Sequence, residues 1–293
     1  MNQQLVTEIT ASLSEKLGEK VQLKSNRSMG GGCIHNATLI ETTAGNFFVK
    51  WNEYAPGDIF LREAESLTEL KKAVEGELVV PSVLVAKSIG QTPGFLVLEY
   101  LQEGRCGNDE EMLGRGLAKL HSFKAEMFGF HQNNYCGETL QDNKWKTKWC
   151  DFFIENRLLS LLNLIKEKRN LSSAELSIFD RLLGRIPKLL PETLSPVLIH
   201  GDLWSGNYML TLSGPALIDP ACYYADREME FGIITMFGGF SQRFFAAYSE
   251  INPLPGDWQD RNLLYQLYHV LNHFLLFGGG YGQNALQIAR KYC

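Results

Sequence analysis

Val197-Leu-Ile-His-Gly-Asp-Leu-Trp-Ser-Gly-Asn207, followed by Leu217-Ile-Asp-Pro220, is the stretch from which the rest of the chain is read. It begins as a short apolar run, the signature of a buried strand. It then breaks into a glycine-containing loop that carries His200, Asp202 and Asn207. Tyr208 to Leu212 follows, then a turn at Ser213-Gly214-Pro215, then Ala216 to Asp219. That pattern is strand, tight turn, strand, ending on an acid. Taken as symmetric about the turn, positions 208 and 219 oppose each other with Cβ atoms about 5 Å apart. The hairpin would then return Asp219 to the neighbourhood of Asn207. An amide oxygen and a carboxylate held that close can share one hard divalent ion, most plausibly Mg²⁺. Asp202 sits on the loop leading into the same corner and is free to take a proton.

An acid, an Asn five residues later and a second acid closing a short hairpin follow the order of a kinase catalytic loop and metal loop. Acids also cap turns, so the reading depends on other kinase parts upstream. Ser28-Met-Gly-Gly-Gly-Cys-Ile-His-Asn36 lies between candidate strands at Val21–Lys24 and Ala37–Ile40. The backbone of Gly30, Gly31 and Gly32, with Cys33 and Asn36 in the same loop, can approach phosphates. No Lys-Ser or Lys-Thr follows, so it is not a Walker A loop. Asn46 to Lys50 reads as the next strand, and Lys50 falls fourteen residues after Asn36. A turn at Ala44-Gly45 would bring Lys50 beneath the loop, within reach of nucleotide phosphates. Ile59 to Val74 reads as a helix carrying Glu63 and Glu65. Either carboxylate can anchor such a lysine, and Glu63 is preferred. Val79–Lys87 and Gly94–Tyr100 read as two more strands. The second passes into the polar Gln102-Glu-Gly-Arg-Cys-Gly107. That change suggests a lobe boundary, with an ATP-binding lobe over residues 1–102 and a catalytic and substrate-binding lobe over 103–293. Backbone groups near Glu99 and Leu101 would pair with an adenine edge.

The 293 residues suffice for one large domain or two lobes with a real core. A net charge of -5 gives no basic footprint for nucleic acid. No apolar run reaches the roughly 18 residues of a membrane span. Met1 to Lys20 lacks a signal pattern and reads as a helix striped by Leu5, Ile9, Leu13 and Leu17. A cytoplasmic location is expected. The six cysteines show neither Cys-x-x-Cys pairing nor zinc spacing, so free thiols are expected.

Beyond residue 107 the pattern is mainly helical. Residues 128–153 differ: Phe128, Phe130, Tyr135, Trp145, Trp149, Phe152 and Phe153 are interleaved with Gln132, Asn133, Asn134, Gln141 and Asn143. Aromatic faces with amides suit a polyhydroxyl ligand, and they equally suit a core. Trp145 and Trp149, four apart, would share one helix face. Asp226-Arg-Glu228 would form either a charged lip at the site or an exposed helix start. The absence of a long activation segment and of Ala-Pro-Glu argues against a protein kinase.

These strings resemble the fructosamine kinase (ketosamine-3-kinase) family, relatives of aminoglycoside phosphotransferases. The resemblance rests on His200 to Asn207, Ile218-Asp-Pro-Ala-Cys-Tyr223 with Asp226 to Glu228, Gly30 to Cys33 with Asn36, and Phe277-Gly-Gly-Gly280. The stretch holding Gly137, Gln141, Asn143 and Trp149 also looks like that family. His35 stands at a position with no expected identity. The resemblance implies an α+β, bilobal protein-kinase-like fold, with an antiparallel sheet and helix in the N-lobe and a mainly helical C-lobe. It implies ATP- and Mg²⁺-dependent phosphorylation of the 3-hydroxyl of ribulosamine or fructosamine adducts of amines or protein lysines, a deglycating repair. Asp202 would be the base, Asn207 and Asp219 the Mg²⁺ ligands, and Lys50 with Glu63 the phosphate clamp. Trp204 would position the sugar or pack under the loop; Trp149, Gln141 and Asn143 are further substrate candidates. Cys33, beside an anion-binding loop, is either a reactive thiol, which would give a redox-sensitive homodimer rather than a monomer, or a small residue tolerated in a tight loop. The competing readings are an aminoglycoside- or choline-type kinase, and a non-catalytic ATP-binding scaffold.

Overall fold

The computed structural model describes residues 1–30, 35–74, 76–90 and 93–293. The N-terminal helix α1 (Gln3–Leu17) starts where the Asn2 side chain accepts a hydrogen bond from the Leu5 N–H, and ends at Gly18 in the left-handed region. Five strands follow: β1 (Leu23–Met29), β2 (Asn36–Thr42), β3 (Gly45–Asn52), β4 (Val83–Lys87) and β5 (Gly94–Glu99), with α2 (Ile59–Ala73) between β3 and β4. They form an antiparallel sheet in the order β1-β2-β3-β5-β4. The β2–β3 pairing matches Thr42 to Gly45, so its turn is Thr43-Ala44, one residue earlier than the expected Ala44-Gly45.

The alternation of the strands separates two faces. Val49, Phe95 and Val97 pack with Leu5, Ile9 and Leu13 of α1 in one small core. Leu17, the last member of the expected stripe, is 38% exposed. Leu96 and Leu98 face the other way, joining Phe60, Leu67 and Leu70 of α2 in the main core. Phe48 and Lys50 share this second face, so the strand period alone turns Lys50 toward the interior of the molecule.

The remainder is helical around short hairpins: α3 (Asp109–Leu120), β6 (Asn134–Cys136), β7 (Thr139–Gln141), α4 (Trp149–Phe152), α5 (Ser160–Lys168) and α6 (Ser173–Leu189). Then come β8 (Val197–Ile199), β9 (Tyr208–Thr211), β10 (Gly214–Leu217), β11 (Tyr223–Ala225), α7 (Glu228–Phe237), α8 (Gln242–Ile251), α9 (Trp258–Phe277) and α10 (Tyr281–Tyr292). This is the α+β arrangement expected. Between α4 and α5 the chain runs as one wide π-helical segment, Phe153–Leu159. Nothing in the sequence pattern marks that widening, which turns Arg157 fully into the core. No helix among the described residues is long and apolar enough to cross a membrane.

Candidate active site

The loop after β8 is built around a buried acid that the sequence reading missed. Glu230 of α7 accepts hydrogen bonds from the His200 N–H (2.5 Å) and the Gly201 N–H (3.1 Å). Gly201 has φ +84°, and a Cβ there would lie 2.2 Å from the Ala221 carbonyl oxygen, so no other residue fits. His200 places Nε2 2.8 Å from the Ile218 carbonyl, and its Nδ1 accepts from the Asp202 N–H at 3.3 Å. That pattern is a neutral imidazole donating from Nε2, and burial lowers its pKa further. The one signal for Glu230 was an acid inside the apolar run Met229 to Ile234.

Asp202 points into the cleft. The Asn207 side-chain amide donates to its Oδ2 (2.9 Å) and to its main-chain carbonyl (2.8 Å). Burial, with Asp219 and Glu230 nearby, pushes the Asp202 carboxyl well above the usual carboxylate range, against the Asn207 hydrogen bond. The result is a carboxylate with raised affinity for a proton, aimed by an amide.

The hairpin register differs from the expected one. Tyr208 pairs with Leu217 and Thr211 with Gly214, so the turn is Leu212-Ser213 and Pro215 lies in a strand. Thr211 fixes this register: its hydroxyl donates to the Gly214 carbonyl (2.6 Å) and accepts from the Ser213 N–H (3.1 Å). Asp219 therefore lies beyond the last strand pair rather than opposite residue 208. It is still brought to the site, because the Ile218 N–H donates to the Asn207 carbonyl (3.0 Å). Asp219 then takes φ +57°, among the described residues the only non-glycine with positive φ. That costly backbone turn sends its carboxylate to Lys50, 2.5 Å from Nζ.

Lys50 is 6% exposed and also meets Glu63 at 2.7 Å. Glu65 is instead held by Arg62 at 3.0 Å, which resolves the choice left open by the sequence. Burial opposes the Lys50 charge, but Asp219 and Glu63 together outweigh it and raise its pKa. These groups open on a cavity of about 370 Å³ lined by Gly30, His35, Lys50, Glu63, Asp202, Trp204, Asn207 and Asp219. Apolar residues Met29, Ala37, Phe48, Leu98, Met209 and Ile218 also line it, as do Glu99, Tyr100 and Leu101. The Glu99 carboxylate turns away to the Ser82 N–H and hydroxyl. Asn36, expected in the phosphate loop, is an exposed β2 residue opposite Trp51 and does not line the cavity. His35 does line it, its pKa lowered to about 4 by burial and Lys50 against the pull of Asp219. Gly31, Gly32 and Cys33 lie outside the described residues.

Three expected substrate residues are elsewhere. Trp149, Gln141 and Asn143 are each about 2% exposed or less and are absent from the cavity wall. Gln141 donates to Asn134 (2.9 Å) and to the Ala221 carbonyl (3.2 Å), and accepts from Tyr268 (2.8 Å). Asn143 donates to Asn134 and accepts from Arg157, both at 2.7 Å. Trp149 stacks on Phe152 and Phe153 and donates to the Tyr265 hydroxyl. Trp145 precedes α4, so the two tryptophans share no helix face. Asp226 and Glu228 are neither a lip nor an exposed helix start. Both are buried, Glu228 in a two-pronged pair with Arg261 at 2.8 and 2.9 Å, Asp226 accepting from the Tyr265 hydroxyl. The amides are closed on one another because a buried polar group with a partner inside has none to offer a ligand.

A family model for fructosamine kinase matches residues 5–293. A probable ketoamine kinase of Vibrio parahaemolyticus is 38% identical over 283 residues, covering 94% of this chain and 95% of its own. A chloroplastic protein-ribulosamine 3-kinase of Oryza sativa subsp. indica is 35% identical over 282 residues, covering 94% of this chain and 80% of its own. Among solved structures, a protein of Haemophilus somnus provisionally named a fructosamine-3-kinase superposes with a TM-score of 0.85 at 26% identity, covering 98% of this chain and 99% of that one. A thermostable mutant of an aminoglycoside phosphotransferase, solved with AMP-PNP and hygromycin B, reaches 0.64 at 14% identity, covering 97% and 98%. At that identity the likeness is one of fold, and the fold is kinase-like.

Proposed function

Because the chain belongs to the fructosamine kinase family, a group of phosphotransferases acting on sugar hydroxyls, we propose that it transfers the γ-phosphoryl group of ATP, with Mg²⁺, to the 3-hydroxyl of a ketosamine. The acceptor class is the ribulosamine and fructosamine adducts of amines, free or on protein lysines. The 3-phosphates of such adducts are unstable and release the amine, so the reaction would deglycate.

The observation that carries this reading is Asp202: a carboxylate of raised basicity, aimed by Asn207, on a cavity that the Lys50–Glu63–Asp219 cluster also lines. Asp202 orients the attacking hydroxyl and accepts its proton. The donors fit Mg²⁺: the Asp219 carboxylate lines the cavity, and the Asn207 amide nitrogen is spent on Asp202, leaving its oxygen for a hard cation. Bound there, the ion supplies charge neutralisation for the phosphates. Lys50, braced by Glu63, neutralises phosphate oxygens, and the Gly30 end of the loop adds main-chain donors. The apolar part of the cavity lining suits a purine. The Leu101 N–H, which donates to no described residue, is available to its edge. Trp204, lying on the cavity wall with its ring 5.9 Å from Phe237, positions the sugar.

The test is ATP consumption with Mg²⁺ against ribulose- and fructose-derived amine adducts, choline and an aminoglycoside. Turnover is expected on the ketosamines and should fall by about 10²–10⁴ in Asp202→Ala. Turnover on choline or the aminoglycoside alone would refute the acceptor class. ATP binding without turnover on any acceptor would refute catalysis.

A further inference from the structure

Beside Asp202 lies a second set of groups, outside the cavity lining, that the phosphotransfer reading does not use. Cys136 ends β6 and His269 sits mid-way along α9. Ligating atoms of Cys136, His269 and Asp202 all lie within 4.8 Å of one another, the only such His, Cys, Asp or Glu group among the described residues. Cys136 is 3% exposed and His269 1%. The Nδ1 atom of His269 is buried without any hydrogen-bond partner. Asn272, one turn along α9, donates to the Cys136 sulfur (3.4 Å) and carbonyl (3.2 Å), and its own Oδ1 is likewise buried without a partner. Buried polar atoms without partners, beside three potential ligands, have lone pairs that a cation can use.

The donor set selects its class. Thiolate sulfur and imidazole nitrogen favour Zn²⁺-type ions over Mg²⁺. Zinc bonds of about 2.3 Å to sulfur and about 2.0 Å to nitrogen at a tetrahedral angle place two ligand atoms roughly 3.5 Å apart, so side-chain adjustments of up to about 1 Å would close the site. We propose that Cys136, His269 and Asp202 form a site for a thiophilic divalent cation of the Zn²⁺ class, and that filling it inhibits the enzyme. The Cys136 thiol proton passes to solvent as the sulfur–metal bond forms, and the Asp202 lone pair that would accept the substrate proton becomes a metal ligand. Only the inhibition rests on reading Asp202 as the base; the binding does not.

The experiment titrates Co²⁺ into the metal-free full chain in excess Mg²⁺, and separately measures Zn²⁺ inhibition of ketosamine-dependent ATP consumption. A sulfur-to-cobalt charge-transfer band is expected, absent in Cys136→Ser and appearing only at about 10–100-fold higher Co²⁺ in His269→Gln. Asp202→Asn, which keeps the side-chain shape, should also weaken cobalt binding and gives a readout independent of turnover. Zn²⁺ should inhibit in competition with the sugar acceptor and not with ATP, be reversed by EDTA, and inhibit Cys136→Ser at least about 10-fold less strongly. A band that survives in folded Cys136→Ser, or no band at all, overturns the site. Cobalt bound as expected with no effect of Zn²⁺ on turnover overturns the inhibition, and with it the role of Asp202 as base.

Discussion

Two polar regions of the molecule hold their charge in opposite ways. On the cavity side, Lys50 meets Glu63 and Asp219, and Asp219 keeps a 38% exposed side chain. In the second region, Arg157 is fully buried, and among the described residues no carboxylate pairs with it. Its guanidinium donates to the Asp142 and Asn156 carbonyls and to Asn143, and lies 3.9 Å from the Tyr223 ring centre. The ions of the first region are held by other ions beside a cavity, so an entering anion has partners to replace. The second has no exchange to make. Through Asn143, Asn134 and Gln141 it reaches the Ala221 and Cys222 carbonyls, two and three residues after Asp219. Its hydrogen bonds hold the loop that follows Asp219, whereas the Lys50 cluster faces the cavity.

The largest expected effects divide along that line. Lys50→Met should lower kcat/KM by about 10²–10³-fold, the cost of losing one preorganised charge donor. Its stability should change little, because burial already raises the Glu63 pKa and lets that acid take a proton when the cation is gone. Arg157→Leu leaves the Asn143 oxygen and the Asp142 carbonyl unsatisfied at about 1–3 kcal/mol each and removes the cation–π contact. Unfolding free energy should fall by about 2–5 kcal/mol, read from urea midpoints. If Lys50→Met destabilises as much as Arg157→Leu, or Arg157→Leu leaves stability intact, the division of labour is wrong.

How much of this was legible depended on the same contrast. Lys50, Glu63, Asp202, Asn207 and Asp219 were picked from the sequence because charge, spacing and strand period each constrain a group that must face a cavity. Gln141, Asn143 and Trp149 were singled out by residue type and by resemblance, and neither tells an amide facing a sugar from an amide facing another amide. Arg157 and Glu230 left almost no trace: one is turned inward by a π-helical segment, the other accepts main-chain N–H groups thirty and twenty-nine residues away in sequence. The hairpin register slipped because the Thr211 side chain, not the Gly-Pro pair, closes the turn.

A smaller effect sharpens the comparison through pH. The Asp226 carboxyl is pushed up to about 6 by burial and by Glu228, with the Tyr265 hydrogen bond opposing. The folded state therefore holds this proton more tightly than the unfolded chain, where the group titrates near about 4. The stabilisation is fully present below about pH 4 and is lost as pH rises through about 6. Relative to the wild type, Asp226→Asn should thus gain up to about 3 kcal/mol between pH 4 and pH 7. Thermal or urea unfolding at several pH values reads the difference, in which any fixed cost of the amide cancels. A flat difference would mean that Asp226 stays ionised in the fold and that this region is more polar than its burial implies.

The smallest expected effect separates two acids on one helix. Glu65 lies two residues from Glu63, which turns it to another face of α2, and there it holds Arg62 at 3.0 Å with 37% of its side chain exposed. A pair so placed contributes about 0.2–1 kcal/mol. Glu65→Gln should therefore leave kcat/KM within about 2-fold of the wild type and stability within about 0.5 kcal/mol. Glu63→Gln changes the same atoms, but at a carboxylate that braces a buried ammonium. It should cost roughly 10-fold or more in kcat/KM, since hydrogen bonds to charged groups contribute about 1.5–3 kcal/mol. Equal losses in the two variants would show that Lys50 draws on the helix's general negative charge, and that the 2.7 Å contact to Glu63 is not what orients it.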